Sequence, residues 1–490
     1  MKISKFYEYE LSVSREKKKS MGIVYTPIDV VSFINEATLA NWTDDEIPKV
    51  FDPCVGTGIF LYDMAHKIAE RWGISFEEAC SYCYGYDIDK DAVKLAKNFL
   101  PFCNFKQESS LFCDWDDFDM VVTNPPYIRI QNLDEGLRKQ IKETFSFCKG
   151  DTDIYMAFFQ RFCEFDGISG FIVPNSWIKN KNAESLRSFL IESRKMETLI
   201  DFKSRKVFPT ADAYTSVVVL NNRKNDVMKF SESLPFKTIA YDDIEAKRSF
   251  VFSSKEASFV DEVAAKDSSL FDVCDINVGL ATLADRIYFL EVLEEKEKTF
   301  KVRARKTKYN DEKDFEIEKG IVKRCVKASD ITKNVGKSYV IIYPYDEVSE
   351  FSLIKEDVLI SKYPLAHDHL CENKRQLKER DKGKIRIPEE KWYAYGRSQA
   401  IKLLREKLLF APLVSDKMQI KHSTPDELFI SGYAIVPKNG TTLSQLEKLF
   451  LSEEVTNWIH LFGKNMSGGW LGVSKNTFKE YRVNKSLTFN

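Results

Sequence analysis

Net charge is almost absent: 73 Lys and Arg stand against 74 Asp and Glu, leaving −1. The chain is therefore no global polycation, and any nucleic-acid surface must come from local basic patches. Long apolar runs are missing too, since none approaches the roughly 18–20 residues that span a bilayer. The opening MKISKFYEYELSVSREKKKS is charged throughout and has no apolar core of a secretion signal, so a cytoplasmic location without membrane contact is expected. No cysteine framework stands out: ten cysteines are scattered, which suits a reducing compartment. Cys80 and Cys83 form one CxxC with no second pair at zinc spacing, and HDHLC (His367, His369, Cys371) is the other cluster. Both read as loop residues and buried thiols, and no metal is expected.

What is present is enough for two or three domains: 490 residues, of which 43% are hydrophobic. The first part alternates short apolar runs with helical patterns. KVFDP (49–53) reads as a strand, followed by a helix with Phe60, Met64, Ile68 and Trp72 four apart. YCYGYDID (82–89) reads as a second strand, and DAVKLAKNFL as a helix capped by its first aspartate, Asp91. CNFKQ, FDMVV and SGFIVP give three more strands, with a helix over DIYMAFFQRFCEF before the last. TLIDF and TSVVVL then give two strands close in sequence. Strand–helix alternation predicts an α/β fold with a doubly wound parallel sheet whose final pair forms an antiparallel edge. The rhythm breaks near NNRKNDVMK, so one domain is expected over 1–225 and a second over 226–490. The second region interleaves basic runs, KVRARKTKYNDEKDFEIEKGIVKRCVK and ENKRQLKERDKGKIR, with YVIIYPYDEV and KWYAYGRSQA. Each run alone is an ordinary solvated face; together, beside an enzyme-like first domain, they point to nucleic acid.

Three strand ends carry the chemistry. After the first strand, FDPCVGTGIF provides Gly56 and Gly58 for a tight turn beside a ligand, at the place where doubly wound sheets bind them. Asp52 there opposes a pyrophosphate and could hold an ammonium group. Asp87, after the second strand, suits two ribose hydroxyls, although it could equally be a helix cap. Together these residues suit S-adenosylmethionine, which joins a cationic amino acid to a ribose. The fourth strand ends in TNPPYI. Proline fixes its own backbone and restrains the preceding residue, so Asn124, Pro125 and Pro126 form a rigid extended corner. That corner offers two acceptors for an exocyclic amino group, the Asn124 side-chain oxygen and the Pro125 carbonyl. Tyr127 adds a flat face for a planar ring.

These motifs resemble the gamma-class, Taq-type or Eco57I-like, S-adenosylmethionine-dependent DNA adenine-N6 methyltransferases. GIVYTP (22–27) is similar to the family's early cofactor motif, FDPCVGTGIF to its glycine motif, GYDID to its ribose-binding acid and TNPPYI to its catalytic motif. DIYMAFFQRF, GFIVPNSWI and KVFPTADAYTSVVVL follow in the family's order. INVGLATLADRIYFL, SDITK, IIYPY, ISGYAIVP and GGWLGVSKNTFKEYRV are looser matches to its target-recognition domain. The resemblance implies a seven-stranded Rossmann-like methyltransferase sheet with a C-terminal α+β target-recognition domain. It implies cofactor contacts from Tyr25, Thr26, Pro27, Asp52, Pro53, Gly56, Gly58, Asp87, Ile88 and Asn124. The family's acceptor for the cofactor's adenine falls on Ser109 or Glu108, where this chain lacks the usual aspartate. Catalysis is implied for Asn124, Pro125, Pro126 and Tyr127, with Phe208 of KVFP as a second ring on a flipped adenine of double-stranded DNA. A position in a loop between edge strands, beside a lysine and a proline, predicts Phe208 to be a cleft residue and not a core one. A cognate restriction endonuclease is a possible partner; a fused nuclease is not expected, since DVLISK (357–362) stands alone. The same NPPY loop also serves methyltransferases of RNA or protein glutamine, and an inert DNA-binding specificity subunit is the non-enzymatic alternative.

Overall fold

The computed structural model describes residues 3–208, 213–232, 235–246, 250–251, 254–333, 336–380, 388–397 and 399–485. The chain divides into two compact units, Met1–Val260 with Lys464–Gly469, and Asp261–Gly463 with Trp470–Asn490.

The first unit is built on a nine-stranded sheet. Its strands are β1 (Val50–Asp52), β2 (Cys83–Asp87), β3 (Asn104–Gln107), β4 (Met120–Thr123), β5 (Ile168–Pro174), β6 (Met196–Asp201), β7 (Thr215–Leu220), β8 (Val227–Ser231) and β9 (Lys237–Ala240), in the order β3-β2-β1-β4-β5-β7-β6-β8-β9. The run from β3 to β5 is parallel, and β7 enters antiparallel between β5 and β6. The central strands are buried on both faces, which is why they read as unbroken apolar runs. Alternation along each strand feeds two cores. Met120, Val122, Val217 and Val219 face one, with helices α3 (Ile28–Leu39) and α4 (Ile59–Trp72). Val121, Phe171, Val218 and Leu220 face the other, with α8 (Tyr155–Glu164).

Four expectations change here. The sheet has nine strands, not seven, and its last expected pair is no edge: β8 pairs parallel with β6, and β9 closes the sheet. Exposed Val227 and Lys229 alternate with buried Met228 and Phe230, so β8 presents only half an apolar signal between polar turns. A boundary at 225/226 would therefore cut between paired strands, and the first unit continues to Val260. The second helix of the alternation, α6 (Lys90–Phe99), is capped by Asp89, whose carboxylate accepts the Asp91 N–H; Asp91 lies inside the first turn.

The second unit mixes sheets with short helices. Strands Phe289–Glu295, Thr299–Ala304, Lys313–Glu318, Val322–Lys327, Tyr339–Ile342 and Leu428–Ile430 form a six-stranded sheet. A second sheet of four strands includes Cys274–Val278 and Tyr433–Pro437. DVLISK is helical, within Glu356–Lys362. Part of the basic run ending in GKIR lies outside the described residues. Among the described residues, no helix is long and apolar enough to cross a membrane.

Candidate active site

A cavity of about 430 Å³ opens where β1, β2 and β4 end, within the usual size range of small-molecule sites. Tyr25, Thr26, Pro53, Gly56, Asp87, Ile88, Ser109, Asn124 and Pro126 line it, so most of the candidate residues converge on one space. Pro27 instead caps α3 and Gly58 caps α4. Asp52, Pro125, Tyr127 and Phe208 do not line the cavity.

The turn after β1 is fixed by its glycines. Gly56 takes a left-handed backbone (φ +51°), and a Cβ there would sit 3.1 Å from the Tyr25 ring. Its N–H donates to one Asp87 oxygen at 2.9 Å, while the Asp89 N–H donates to the other at 2.8 Å. Asp87 therefore holds the two turns together and caps no helix. Burial raises the Asp87 pKa against the pull of these N–H groups.

Asp52 is fully buried. Its Oδ1 accepts Thr123 Oγ1 at 2.6 Å and the Cys54 N–H at 3.0 Å, and its Oδ2 has no partner. Burial pushes its pKa up to about 7, with Thr123 and Cys54 opposing. A carboxylate so placed gains from a nearby cation. The cavity's described walls agree: they include Asp87, Asp89 and Glu108 and no Lys or Arg, a donor set that fits a cationic ligand and not a pyrophosphate.

The corner after β4 is held from three sides. Asn124 Nδ2 donates to the Val24 carbonyl at 2.9 Å, which leaves its buried Oδ1 without a partner. Gly22 (φ +65°) packs so closely that a Cβ would lie 2.9 Å from the Tyr127 backbone nitrogen. Tyr127 is half-buried, and its hydroxyl donates to the Ile172 carbonyl at 3.2 Å. Its ring meets Phe208 edge-on, with centroids 6.2 Å apart and planes at 64°.

Phe208 corrects the sequence reading. It is 0% exposed and belongs to the core shared with Val217, Val219 and Ile200. Chain neighbours suggested a cleft residue, but tertiary packing covers the ring. Residues 209–212 of the same motif lie outside the described residues.

Sequence reasoning missed part of the wall. Tyr9, in helix α1 (Ser4–Ser12), lines the cavity and donates to Asp89 Oδ2 at 2.6 Å. Lys17, in α2 (Arg15–Met21), reaches Tyr9 at 2.7 Å and Asp89 and Asp91 at 3.2 Å. Although burial acts against its charge, the Tyr9 and Lys17 hydrogen bonds hold the Asp89 carboxyl below the usual range. Phe112 (38% exposed) and Ile88 (60% exposed) offer apolar surface on the cavity wall. Ser109 and Glu108 are both exposed there, so either could meet a polar edge.

Residues 102–208 match the family model described as Eco57I restriction-modification methylase. Over that segment the chain is similar to Eco57I-type methylases. That segment spans β3 to β6 and includes the Asn124 corner and Phe208. The chain is 26% identical over 315 residues to the type II restriction enzyme and methyltransferase RM.Eco57I of Escherichia coli, covering 58% of this chain and 31% of that protein. It is 25% identical over 246 residues to the type II methyltransferase M.HincII of Haemophilus influenzae, covering 48% and 44%. The chain thus spans less than half the length of either. The type II methyltransferase M.BstVI of Geobacillus stearothermophilus is 22% identical, with 97% of this chain and 92% of that protein covered. The type IIL restriction-modification enzyme MmeI, solved in complex with DNA, superposes with a TM-score of 0.63 over 98% of this chain and 71% of its own, at 12% identity, and so shares the fold. The family match supports S-adenosylmethionine as the cofactor.

Proposed function

We propose that the chain is a site-specific DNA methyltransferase that moves a methyl group from S-adenosylmethionine to N6 of an adenine turned out of duplex DNA. One observation carries this reading: the buried, unpartnered Oδ1 of Asn124, a residue in the wall of a cavity lined by acidic groups. An unpaired buried acceptor costs on the order of 1–3 kcal/mol, and an incoming amino group removes that cost. The cofactor supplies a methyl group on a sulfonium sulfur, which leaves as a neutral thioether.

An adenine amino group is a poor nucleophile because its lone pair is delocalised into the ring. Hydrogen bonds from N6 to Asn124 Oδ1 and to the Pro125 carbonyl favour a pyramidal nitrogen and localise that pair. The localised pair would then be aimed at the cofactor's methyl group, whose transfer would release the neutral thioether and let a proton pass from N6 to solvent. No strong base is needed; positioning and fixed dipoles supply most of the rate. The Pro–Pro pair restrains this geometry, and Asn124 is tied through Nδ2 to Val24, which fixes the direction of its oxygen. A base inside a duplex is out of reach, so it must be extruded at a cost of a few kcal/mol. Tyr127 receives it by stacking, worth about 1–3 kcal/mol. Phe208, edge-on and buried, orients the Tyr127 ring and does not itself receive the base. The second unit is the part that reads the DNA sequence, through side chains at base edges.

The test is Asn124→Ala in the full chain. N6-methyladenine formed in duplex DNA, measured by mass spectrometry, should fall by about 10²-fold or more, with cofactor affinity retained. Undiminished turnover, or methylation of RNA or protein in place of DNA, would overturn the proposal.

A further inference from the structure

The second unit brings together a donor set that its sequence spacing concealed. Helices Glu356–Lys362 and Pro364–Glu372 are joined by the single residue Tyr363. His367 and Cys371 lie four apart on the second helix, so both project from one face. Glu356 opens the first helix and meets them there. His367 Nε2 lies 3.2 Å from Glu356 Oε1 and 3.5 Å from Cys371 Sγ. One ligand atom from each of the three residues falls within 4.8 Å of the others. His369, the other histidine of HDHLC, is no part of this group: it is buried, stacked on Phe315, and its Nε2 meets the Ile287 carbonyl.

These spacings have a specific chemical meaning. Bond lengths of about 2.0–2.1 Å to nitrogen and oxygen and about 2.3 Å to sulfur, at tetrahedral angles, separate N from O by ~3.3 Å and N from S by ~3.5 Å. The imidazole nitrogen already stands at both separations. The Trp392 indole, itself buried, donates to the same Glu356 oxygen at 3.1 Å and fixes it from outside the group. Imidazole, thiolate and carboxylate together form a mixed N/S/O set, which favours a borderline ion over magnesium or calcium.

We propose that Glu356, His367 and Cys371 bind one zinc-class divalent cation, clamping the two helices across their one-residue joint. The cation would take the place of the proton between His367 and Glu356 and displace the thiol proton of Cys371, with solvent in the fourth position. The group lies within the second unit, and the proposal does not rest on the methylation reading. It departs from the absence of metal expected from the sequence, where Glu356 lies eleven residues before His367 and carries no motif.

The experiment titrates the full chain with Co²⁺ and then with Zn²⁺ as competitor, reading absorption from thiolate-to-cobalt charge transfer and the melting temperature. The expected result is one equivalent of cobalt showing a thiolate band, displaced by zinc, with a zinc-dependent rise in melting temperature. Cys371→Ser should abolish the band and the rise, and Glu356→Gln should weaken cobalt binding at least tenfold. Cys103→Ser, at a half-buried thiol in the first unit, should change neither. A band that survives Cys371→Ser, or a chain that takes up no cobalt, would overturn the proposal.

Discussion

Asp52→Asn isolates the strain stored beneath the candidate site. The substitution preserves shape and keeps an oxygen for Thr123 and the Cys54 N–H, but removes a charge that has no cationic partner. The wild-type carboxyl rises from 3.8 to about 7 on folding. The folded state thus holds its proton more tightly than the unfolded state. Stability from this group is fully present below the unfolded value and is lost as pH rises toward the folded one. Three pKa units correspond to about 4 kcal/mol once the group is ionised in both states, since each unit is worth ~1.4 kcal/mol. At about pH 5 only ~2 kcal/mol of that is expressed, and by about pH 8 all of it is. The asparagine amide brings its own unpaired N–H, at a cost of about 1–3 kcal/mol, but this does not vary with pH. The stability of Asp52→Asn relative to wild type should therefore rise by about 2–3 kcal/mol from about pH 5 to pH 8, read from urea midpoints of both ligand-free proteins. A difference that is flat across that window would mean that Asp52 remains ionised throughout, with a charge partner that the geometry does not reveal.

Further outcomes follow from the same geometry. Asp87→Ala should weaken S-adenosylmethionine binding by about 1.5–3 kcal/mol in calorimetry, and unchanged affinity would leave Asp87 as a brace between two turns and nothing more. Phe208→Ala should destabilise the first unit by about 3–5 kcal/mol, seen as a clear drop in melting temperature; a drop near zero would contradict its burial. Duplex-DNA affinity of the full chain should fall steeply with salt, with a log–log slope of about −0.9 per phosphate contact, and salt-independent binding would argue against a duplex partner.

The strand ends were legible because each combines a continuous apolar run with residues that force a turn. Met120, Val121 and Val122 ran into Asn124-Pro125-Pro126, and Val50 and Phe51 ran into Asp52 and the glycines. Period and punctuation together mark such places. The failures have a common cause, since burial is decided by parts of the chain far away in sequence. Phe208 looked exposed beside Lys206 and Pro209, yet it is fully buried in a core to which distant helices contribute, and its ring meets that of Tyr127, far back in the sequence. Strands β8 and β9 were lost because each turns only one apolar edge inward. Tyr9 sits in a polar helix with no pattern of its own, and only the approach of Asp89, eighty residues on, makes it part of a wall.

The Thr123–Asp52 hydrogen bond has a consequence for how finely the two reactants can be aligned. β1 and β4 are adjacent parallel strands, and their last residues are tied by this one contact. Neighbouring strands lie ~4.8 Å apart, a spacing set by backbone hydrogen bonding and hardly adjustable by side chains. The donor-side turn grows from one strand and the acceptor-side corner from the next. Their separation is thus a ruler built from the peptide backbone. The loops on either side can change in length and composition without altering the gap across which, on the proposed reading, the methyl group would travel.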